Sequence, residues 1–556
     1  MTLDGPELIM PGHATVNAAL KAAADTRFGL TFVDTQEHET KFRWAELYQR
    51  ARRLAFALRD RGVQPGERVA MVLPTGLDFM DAFFGTLLAG AVPVPLYPPV
   101  RLGRMDEYVR STARMLELTS ARIVLSDRRV RLLLGGAVER ARPPLGCPTV
   151  ADLMVGQGEH EAAVTPAALG LIQFSSGSTV DPKPVALTHA NLMAQVAMLM
   201  QVMPEIDAAR DSGVSWLPLY HDMGLIGCLL EAVYFPGDLV LLPPEGFLAR
   251  PALWLRAISR HHGGVSPAPN FAYGLCLKRV RDEDLEGVDL SCWRYALNGA
   301  EPVTAALQQR FAERFAKWGF KAESLLPVYG LSEASLAVSF NQRGSPLRQV
   351  EVDGREIVSV GKPVPGTSVE VREGRIWVKG HSVMREYFGN PEATRAALVD
   401  GWLDTGDQGF IDGGELFVSG RAKDIVIIRG ANHAPQVFEE CIDGVEGVRT
   451  GCAVAVGYVP KGHDGEALAL LVEGEGEGLE QRITAAVVER TSIKPHAVVV
   501  LAAGTLPRTS SGKLRRQEAL KRWLSGELQP PKAVNALNVG AEVAKSMLSF
   551  AKSRLK

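Results

Sequence analysis

Short apolar runs alternate with helical repeats from residue 28 onward, and this restricts the chain to a mostly parallel sheet with helices on both faces. Thr31-Phe32-Val33 reads as a strand, and residues 44–60 place Leu47, Ala51, Leu54 and Leu58 at helical spacing before stopping at Gly62. The β-rich run 69–73 ends at Pro74, a helical pattern covers 78–89, and Val92-Pro93-Val94 follows Gly90. Residues 105–118 then read as helix and Ile123-Val124-Leu125 as strand. The runs 214–218, 239–242, 295–298 and 325–329 each end beside Gly, Pro or polar residues. Ligands of open parallel sheets bind past the carboxyl ends of the strands. The groups there, around His221, Gly299-Ala300-Glu301 and Gly330 to Glu333, are therefore candidate site residues.

A length of 556 residues exceeds what one core supports and implies at least two domains. Past Phe340 the texture turns to short strands and many glycines, giving a small β-rich unit over 341–418. Charges cluster at Arg421-Ala422-Lys423-Asp424, and from Ile425 a compact αβ unit has strands near 453–456, 468–472 and 498–501. The expected division is a large α/β domain over 1–418, a hinge at 419–424, a small α+β domain over 425–528, and a tail over 529–556. A net charge of −2 gives no reason to propose nucleic acid as a partner. The six scattered cysteines form no Cys-x-x-Cys pair, which argues against a zinc or disulfide framework and suits a reducing cytoplasm. The most apolar window, 79–97, is interrupted by Asp81, Gly90, Pro93 and Pro95, so no transmembrane span is expected.

The chemistry centres on 171–191, where an apolar strand opens into Ser175-Ser176-Gly177-Ser178-Thr179-Val180-Asp181-Pro182-Lys183. Thr188 is placed to cap a helix carrying Leu192, Val196 and Met200 on one face. A polyphosphate needs backbone N–H groups, hydroxyl donors and a mobile cation, and the loop offers all three. The Gly-x-x-x-x-Gly-Lys-Ser/Thr spacing is absent, and composition alone describes a Ser-rich turn equally well.

Five more segments follow this loop in order: Asn298-Gly299-Ala300-Glu301-Pro302, Tyr329-Gly330-Leu331-Ser332-Glu333, Trp402-Leu403-Asp404-Thr405-Gly406-Asp407, Gly420-Arg421-Ala422-Lys423-Asp424, and Leu506-Pro507-Arg508-Thr509-Ser510-Ser511-Gly512-Lys513. Together the six resemble the acyl-adenylate-forming superfamily, which includes acyl-CoA ligases, peptide-synthetase adenylation domains and luciferases, over residues 14–525. Three stretches resemble the fatty acyl-AMP ligases that load acyl carrier proteins: Val94-Pro95-Leu96-Tyr97-Pro98-Pro99, 215–227 around Leu219-Tyr220-His221-Asp222-Met223-Gly224, and Arg429-Gly430-Ala431-Asn432-His433-Ala434-Pro435-Gln436.

The resemblance implies an ATP- and Mg²⁺-dependent enzyme with a mobile small domain, making fatty acyl-AMP and passing the acyl group to the phosphopantetheine of a carrier protein or synthase carrier domain. Residue by residue, it makes Lys513 the bridge between carboxylate and α-phosphate, Glu333 the Mg²⁺ ligand, and Ser332 a donor to the α-phosphate. Asp407 and Arg421 become ribose binders, Tyr329 an adenine platform, Lys423 the hinge residue, and His221 a group at the acyl entrance. Ser175, Ser176, Gly177, Ser178, Thr179 and Lys183 become phosphate binders, Gly299, Ala300 and Glu301 form the adenine-contacting turn, and Gly330 of the aromatic-Gly motif joins the nucleotide-binding set. Each also has a plain structural reading: Ser332 and Glu333 as helix-capping groups, Lys513 as a solvated lysine, and His221 as a core histidine.

Two glycines usual in the phosphate loop are Val180 and Pro184 here, and the segment between Phe340 and Gly361 is shorter than usual in the subfamily. Rival outcomes are an acyl-CoA ligase, an amino-acid-activating domain using Asp222 for the ammonium group, and a non-catalytic acyl-AMP binder. In the tail, Val534, Leu537, Val543, Met547, Leu548, Phe550 and Ala551 form an imperfect apolar face, with Lys545, Lys552, Arg554 and Lys556 toward the end. Such a helix suits an acidic carrier, an anionic membrane, or the protein's own surface.

Overall fold

The computed structural model describes all residues except 100–101, 176–181, 353–354, 429–430, 461–465, 510–511, 532–533, 535 and 555–556. Its largest sheet has nine strands, with a parallel run of Gly29–Val33, Asp238–Leu241, Ser212–Ser215, Gly263–Pro269, Tyr295–Gly299 and Leu325–Gly330. The inner strands Asp238–Leu241, Ser212–Ser215, Gly263–Pro269 and Tyr295–Gly299 are buried along nearly their whole length, as strands covered on both faces are. A second parallel sheet places Arg68–Val72 between Val92–Leu96 and Ile123–Ser126. The helix Trp44–Asp60 buries Leu47, Ala51, Leu54 and Leu58, the residues its periodicity marks. Beside the second sheet lie α1 (Met105–Leu118) and α2 (Gly135–Ala141).

The segment expected to run from strand through loop into helix has an extra strand. Leu169–Phe174 pairs antiparallel with Pro184–Thr188 before α3 (His189–Val202) begins. Thr188 caps α3 as expected, accepting the Asn191 N–H at 3.1 Å. Pro184 is thus a strand residue, and a third strand, Glu386–Tyr387, pairs with the same hairpin arm.

The β-rich region does not close on itself. Thr2–Asp4, from the start of the chain, pairs with Thr367–Arg372, and Lys362–Pro363 joins the nine-stranded sheet beside Ala337–Phe340. Gln349–Val352 and Arg355–Val358 pair antiparallel as a separate two-stranded sheet.

From Val426 the chain builds a core of its own. Val448–Tyr458, Ala467–Gly474 and Ala497–Leu501 form a sheet with Phe438, Ile442, Leu470 and Ile483 buried on one face. Val454, Leu471, Leu506 and Ala519, the last from α4 (Arg516–Leu524), are buried on the other. The six cysteines are all free thiols.

The tail is α5 (Ala536–Arg554), lying against α2, and its buried side differs from the expected apolar face. Ser546 and Ser549 are buried while Met547 and Leu548 are 59% and 64% exposed. The cause is Gly135, whose N–H donates to Ser546 Oγ at 2.7 Å and where a Cβ would stand 2.0 Å from the Ser546 carbonyl oxygen. Small residues on both sides admit a backbone approach that Met547 would block. Among the described residues, no helix is long and apolar enough to cross a membrane.

Candidate active site

Two strand ends of the nine-stranded sheet carry backbone that only particular residues tolerate. At Gly330 a Cβ would lie 1.7 Å from the Leu336 carbonyl oxygen, where the chain doubles back into Ala337–Phe340. That reversal places Ser332 and Glu333 on one tight helical turn. At Gly299 a Cβ would lie 2.7 Å from Val328 Cγ2, and Ala300 follows with φ at 65°.

Asp222 stands opposite, at the start of a short helical turn after Ser212–Ser215. Its Oδ1 accepts the Met223 N–H at 2.8 Å and lies 2.6 Å from His221 Nδ1. Its Oδ2 accepts the Ser332 hydroxyl, across 110 residues of sequence. Burial pushes the Asp222 carboxyl up, but His221, Ser332 and Lys513 together hold it well below the usual carboxylate range. Asp222 is therefore an ionised group already engaged by its neighbours.

Asp407 and Arg421 are register partners on the antiparallel strands Trp402–Asp412 and Glu415–Arg421. Arg421 Nε lies 3.2 Å from Asp407 Oδ1, and the Tyr329 hydroxyl donates to Asp407 Oδ2 at 2.7 Å. Burial raises the Asp407 carboxyl against the pull of Arg421.

Lys513 reaches this cleft from the small domain. Its loop is held by Thr509 N–H to the Lys513 carbonyl at 2.8 Å and Lys513 N–H to Thr509 Oγ1 at 3.0 Å. Arg508 adds a bond to the Gly512 carbonyl at 2.8 Å, with Gly512 at φ 90°. Withdrawal from water lowers the Lys513 ammonium pKa, while Asp222, Glu301 and Asp407 oppose that shift. Glu301 accepts the Phe271 N–H at 2.9 Å, and burial raises its carboxyl.

On the phosphate-loop side, Ser175 N–H donates to the Lys183 carbonyl at 3.0 Å, closing the hairpin. Lys183 Nζ stands 4.6 Å from the centre of the Tyr387 ring, whose hydroxyl donates to Glu333 Oε1 at 2.9 Å. Burial raises the Glu333 carboxyl, opposed by Tyr387, Arg421 and Lys183. Ser176, Gly177, Ser178 and Thr179, with Val180, lie outside the described residues.

The structure thus gathers His221, Ser332, Lys513, Glu301, Tyr329, Asp407 and Arg421 about one cleft, with Glu333 and Lys183 linked through Tyr387. Lys423 is exposed and lends its carbonyl to Gln517 Nε2 at 2.9 Å. Sequence reasoning missed Tyr387, although an aromatic before Gly389-Asn390-Pro391 is a visible signal. It also missed the partners of Asp222. The Met and Leu stripe of 193–229 is core packing split between clusters: Met193, Leu225 and Leu229 lie in one and Met198 in another.

Among the described residues, no group of three or more His, Cys, Asp or Glu is arranged to hold a metal. A lone Glu333 still suits Mg²⁺, which commonly takes one or two carboxylates together with substrate phosphates.

Residues 20–388 match the family described as AMP-binding enzyme. A Caulobacter vibrioides protein provisionally named acyl-CoA synthetase is 35% identical over 92% of this chain and 96% of its own length. The long-chain-fatty-acid–AMP ligase FadD26 of Mycobacterium marinum is 32% identical over 92% and 97%. A solved structure from a study of fatty acyl-adenylate ligases of E. coli and L. pneumophila superposes with a TM-score of 0.87 at 31% identity, covering 93% of this chain and 99% of that one. With a cleft of this geometry and relatives spanning nearly the whole chain, the protein belongs to the AMP-binding, adenylate-forming enzyme superfamily.

Proposed function

We propose that this chain is a fatty acyl-AMP ligase: it joins a medium- or long-chain fatty acid to ATP, releases pyrophosphate, and transfers the acyl group to the phosphopantetheine thiol of an acyl carrier protein. The observation that carries the reading is the position of Lys513, brought from residues beyond 425 among the carboxylates of Asp222, Glu301 and Asp407. In the first step a carboxylate oxygen forms a bond to the α-phosphorus as the bond to the leaving pyrophosphate breaks. Both reactants are anions, so catalysis is positioning and charge neutralisation.

Lys513 supplies the cation between them, kept protonated by Asp222, Glu301 and Asp407 against the cost of leaving water. Asp407 and Arg421 hold the ribose hydroxyls, and Tyr329, fixed by its bond to Asp407, lies against the base. Gly299, Ala300 and Glu301 form the turn beside it. Lys183 with Ser175 to Thr179 takes the outer phosphates. Ser332 Oγ has its proton committed to Asp222, so its free lone pairs suit the Lys513 ammonium, and it is not the donor to the α-phosphate that the resemblance implies. His221 stands at the acyl entrance, with its Nδ1 turned to Asp222. Glu333 would hold Mg²⁺, whose chemistry is to offset charge on the outer phosphates.

The 1–418 unit is the adenylating domain with its β-rich portion at 341–418, and 425–528 is the moving domain. It turns about Lys423 within 419–424 for the second step. Ser332, His221 and Met223 take three acceptor sites of Asp222 and the Lys513 ammonium is the cation it faces, which disfavours amino-acid activation. The shortness of the segment between Phe340 and Gly361 favours one rival, CoA as acceptor. The deciding assay is thioester formation from ATP and a panel of fatty acids, with CoA and holo-carrier protein as alternative acceptors. Loading of the carrier alone supports the reading, CoA thioester shifts it to an acyl-CoA ligase, and no adenylate with any acid overturns it. In the same assay Lys513→Ala should lower adenylation by about 10²-fold or more with thermal stability unchanged. Near-native adenylation in that variant removes Lys513 from the step.

A further inference from the structure

Outside the residues gathered about Lys513, one helical turn of the large domain gathers four separate parts of the C-terminal chain. Arg104, the residue before α1, donates from one nitrogen to the carbonyls of Gly504, Thr505 and Gln529 at 3.2, 2.9 and 3.2 Å. Glu107 takes both terminal nitrogens of Arg522 on α4 at 3.0 and 2.6 Å. Glu518, one turn back on α4, takes Arg522 Nε at 2.6 Å. Asp106 receives Lys545 of α5 at 2.8 Å. Arg104, Asp106 and Glu107 therefore hold the loop that leads toward Lys513, the helix behind it, the exit from the small domain, and the tail.

We infer that the N-terminal end of α1 is the seat that positions Lys513, with Glu107–Arg522 as its key pair and α5 as the pin that keeps the small domain on it. The inference rests on the ligase reading above, because a seat matters only if the small domain also leaves it. The interface has the chemistry of a contact made to part. Its direct contacts are charged pairs and backbone carbonyls, and a cavity of about 560 Å³ with mixed polar and apolar walls lies between α1, α4 and the start of α5. The bidentate Arg522–Glu107 geometry gives it one register, which a set of lysines would not. Burial pulls the Glu107 carboxyl up, yet Arg522 and Arg104 hold it below its ordinary value, so the pair stays charged.

The pin follows from chain length. The small domain is joined to the large one at 419–424 and again through α5 on α2, where Ser546 meets Gly135 and Arg131 stands 5.5 Å from the Phe550 ring centre. Only residues 530–535 separate Gln529 from α5, beginning with two prolines. Fully extended, that link spans roughly 24 Å, at about 3.4 Å for each of the steps between Gln529 and Ala536. With α5 docked, the small domain is thus confined near its seat.

The test separates positioning from general damage by charge reversal. Arg522→Glu and Glu107→Arg are each expected to lower pyrophosphate exchange with a fatty acid about 5- to 10-fold, while acyl transfer from supplied acyl-AMP does not fall. The double variant restores the opposite-charge pair but leaves Arg104 and Glu518 each beside a like charge, so it is expected to recover part of that loss. Hydrogen exchange of the 504–513 loop gives a readout that needs no substrate: faster in each single variant and slower again in the double than in either single. Equal loss in both half-reactions, no recovery in the double variant, or unchanged loop exchange in the singles each overturns the seat. If the wild type activates no acid in the panel, the ligase reading fails by itself, and loop exchange still judges the seat.

Discussion

Asp222 shows what a single residue does that its sequence position does not declare. Its neighbours in sequence, His221 and Met223, supply two of its contacts, and Ser332 supplies the third from another strand end. The identities of Ser332 and Glu333 were legible from the aromatic-Gly-x-Ser-Glu spacing. The direction of the Ser332 proton was not, because it is set by a contact across 110 residues. The charge on Asp222 fixes His221, Ser332 and Lys513 at once, so Asp222→Asn should do more than remove one bond. Hydrogen bonds to a charged group are worth about 1.5–3 kcal/mol each. We expect adenylation to fall by about 10-fold or more and the Lys513 ammonium to lose protons at lower pH than in the wild type. The pH profile of pyrophosphate exchange checks this: its alkaline limb should move down in Asp222→Asn, and an unmoved limb would show that Lys513 is held by Glu301 and Asp407 alone.

At the scale of elements, the sequence was read well where one period dominates and poorly where pairing decides. The helices at 44–60 and 105–118 follow apolar spacing and appear with those bounds. Pro184–Thr188 is only five residues long and runs straight into a capped helix, so its strand character depends on Leu169–Phe174 and Glu386–Tyr387 beside it. Thr2–Asp4 likewise becomes a strand only by pairing with residues near 370.

The junction between hairpin and α3 carries a pH dependence. His189 is buried at the first position of α3, its Nδ1 accepts the Val16 N–H at 3.2 Å, and burial holds its pKa down to about 4. The unfolded chain takes up a proton near 6.5 and the folded one does not until about 4, so His189 lowers stability as pH falls through that window. The contribution is about 2 kcal/mol at pH 5. His189→Asn keeps an acceptor for Val16 and has no proton to gain. Urea midpoints at pH 7 and pH 5 should separate more in the wild type than in the variant; equal separation would mean that His189 charges freely in the folded protein.

For the whole molecule, the order of domains could be read from composition and motif order, and the way they are tied together could not. The tail illustrates why. Its apolar residues suggested a face, but α5 is docked by Ser546 against Gly135, a fit between small residues that hydropathy does not register. Of the three surfaces open to the tail, α5 takes the protein's own, and Lys545 pairs there with Asp106. Truncation after Gln529 removes α5 and leaves the Arg104 and Glu107 contacts to the small domain in place. The seat would then hold the small domain without its pin. We expect adenylation to fall no more than about threefold, and transfer from acyl-AMP to a small diffusing thiol to rise, since the small domain leaves its seat more often. Carrier loading measured at low and high salt distinguishes this from a docking role. A pin predicts that loading rises or holds at both salt concentrations. Loss of loading confined to low salt would instead make the exposed Met547, Leu548 and Lys552 face of α5 a contact for an acidic carrier.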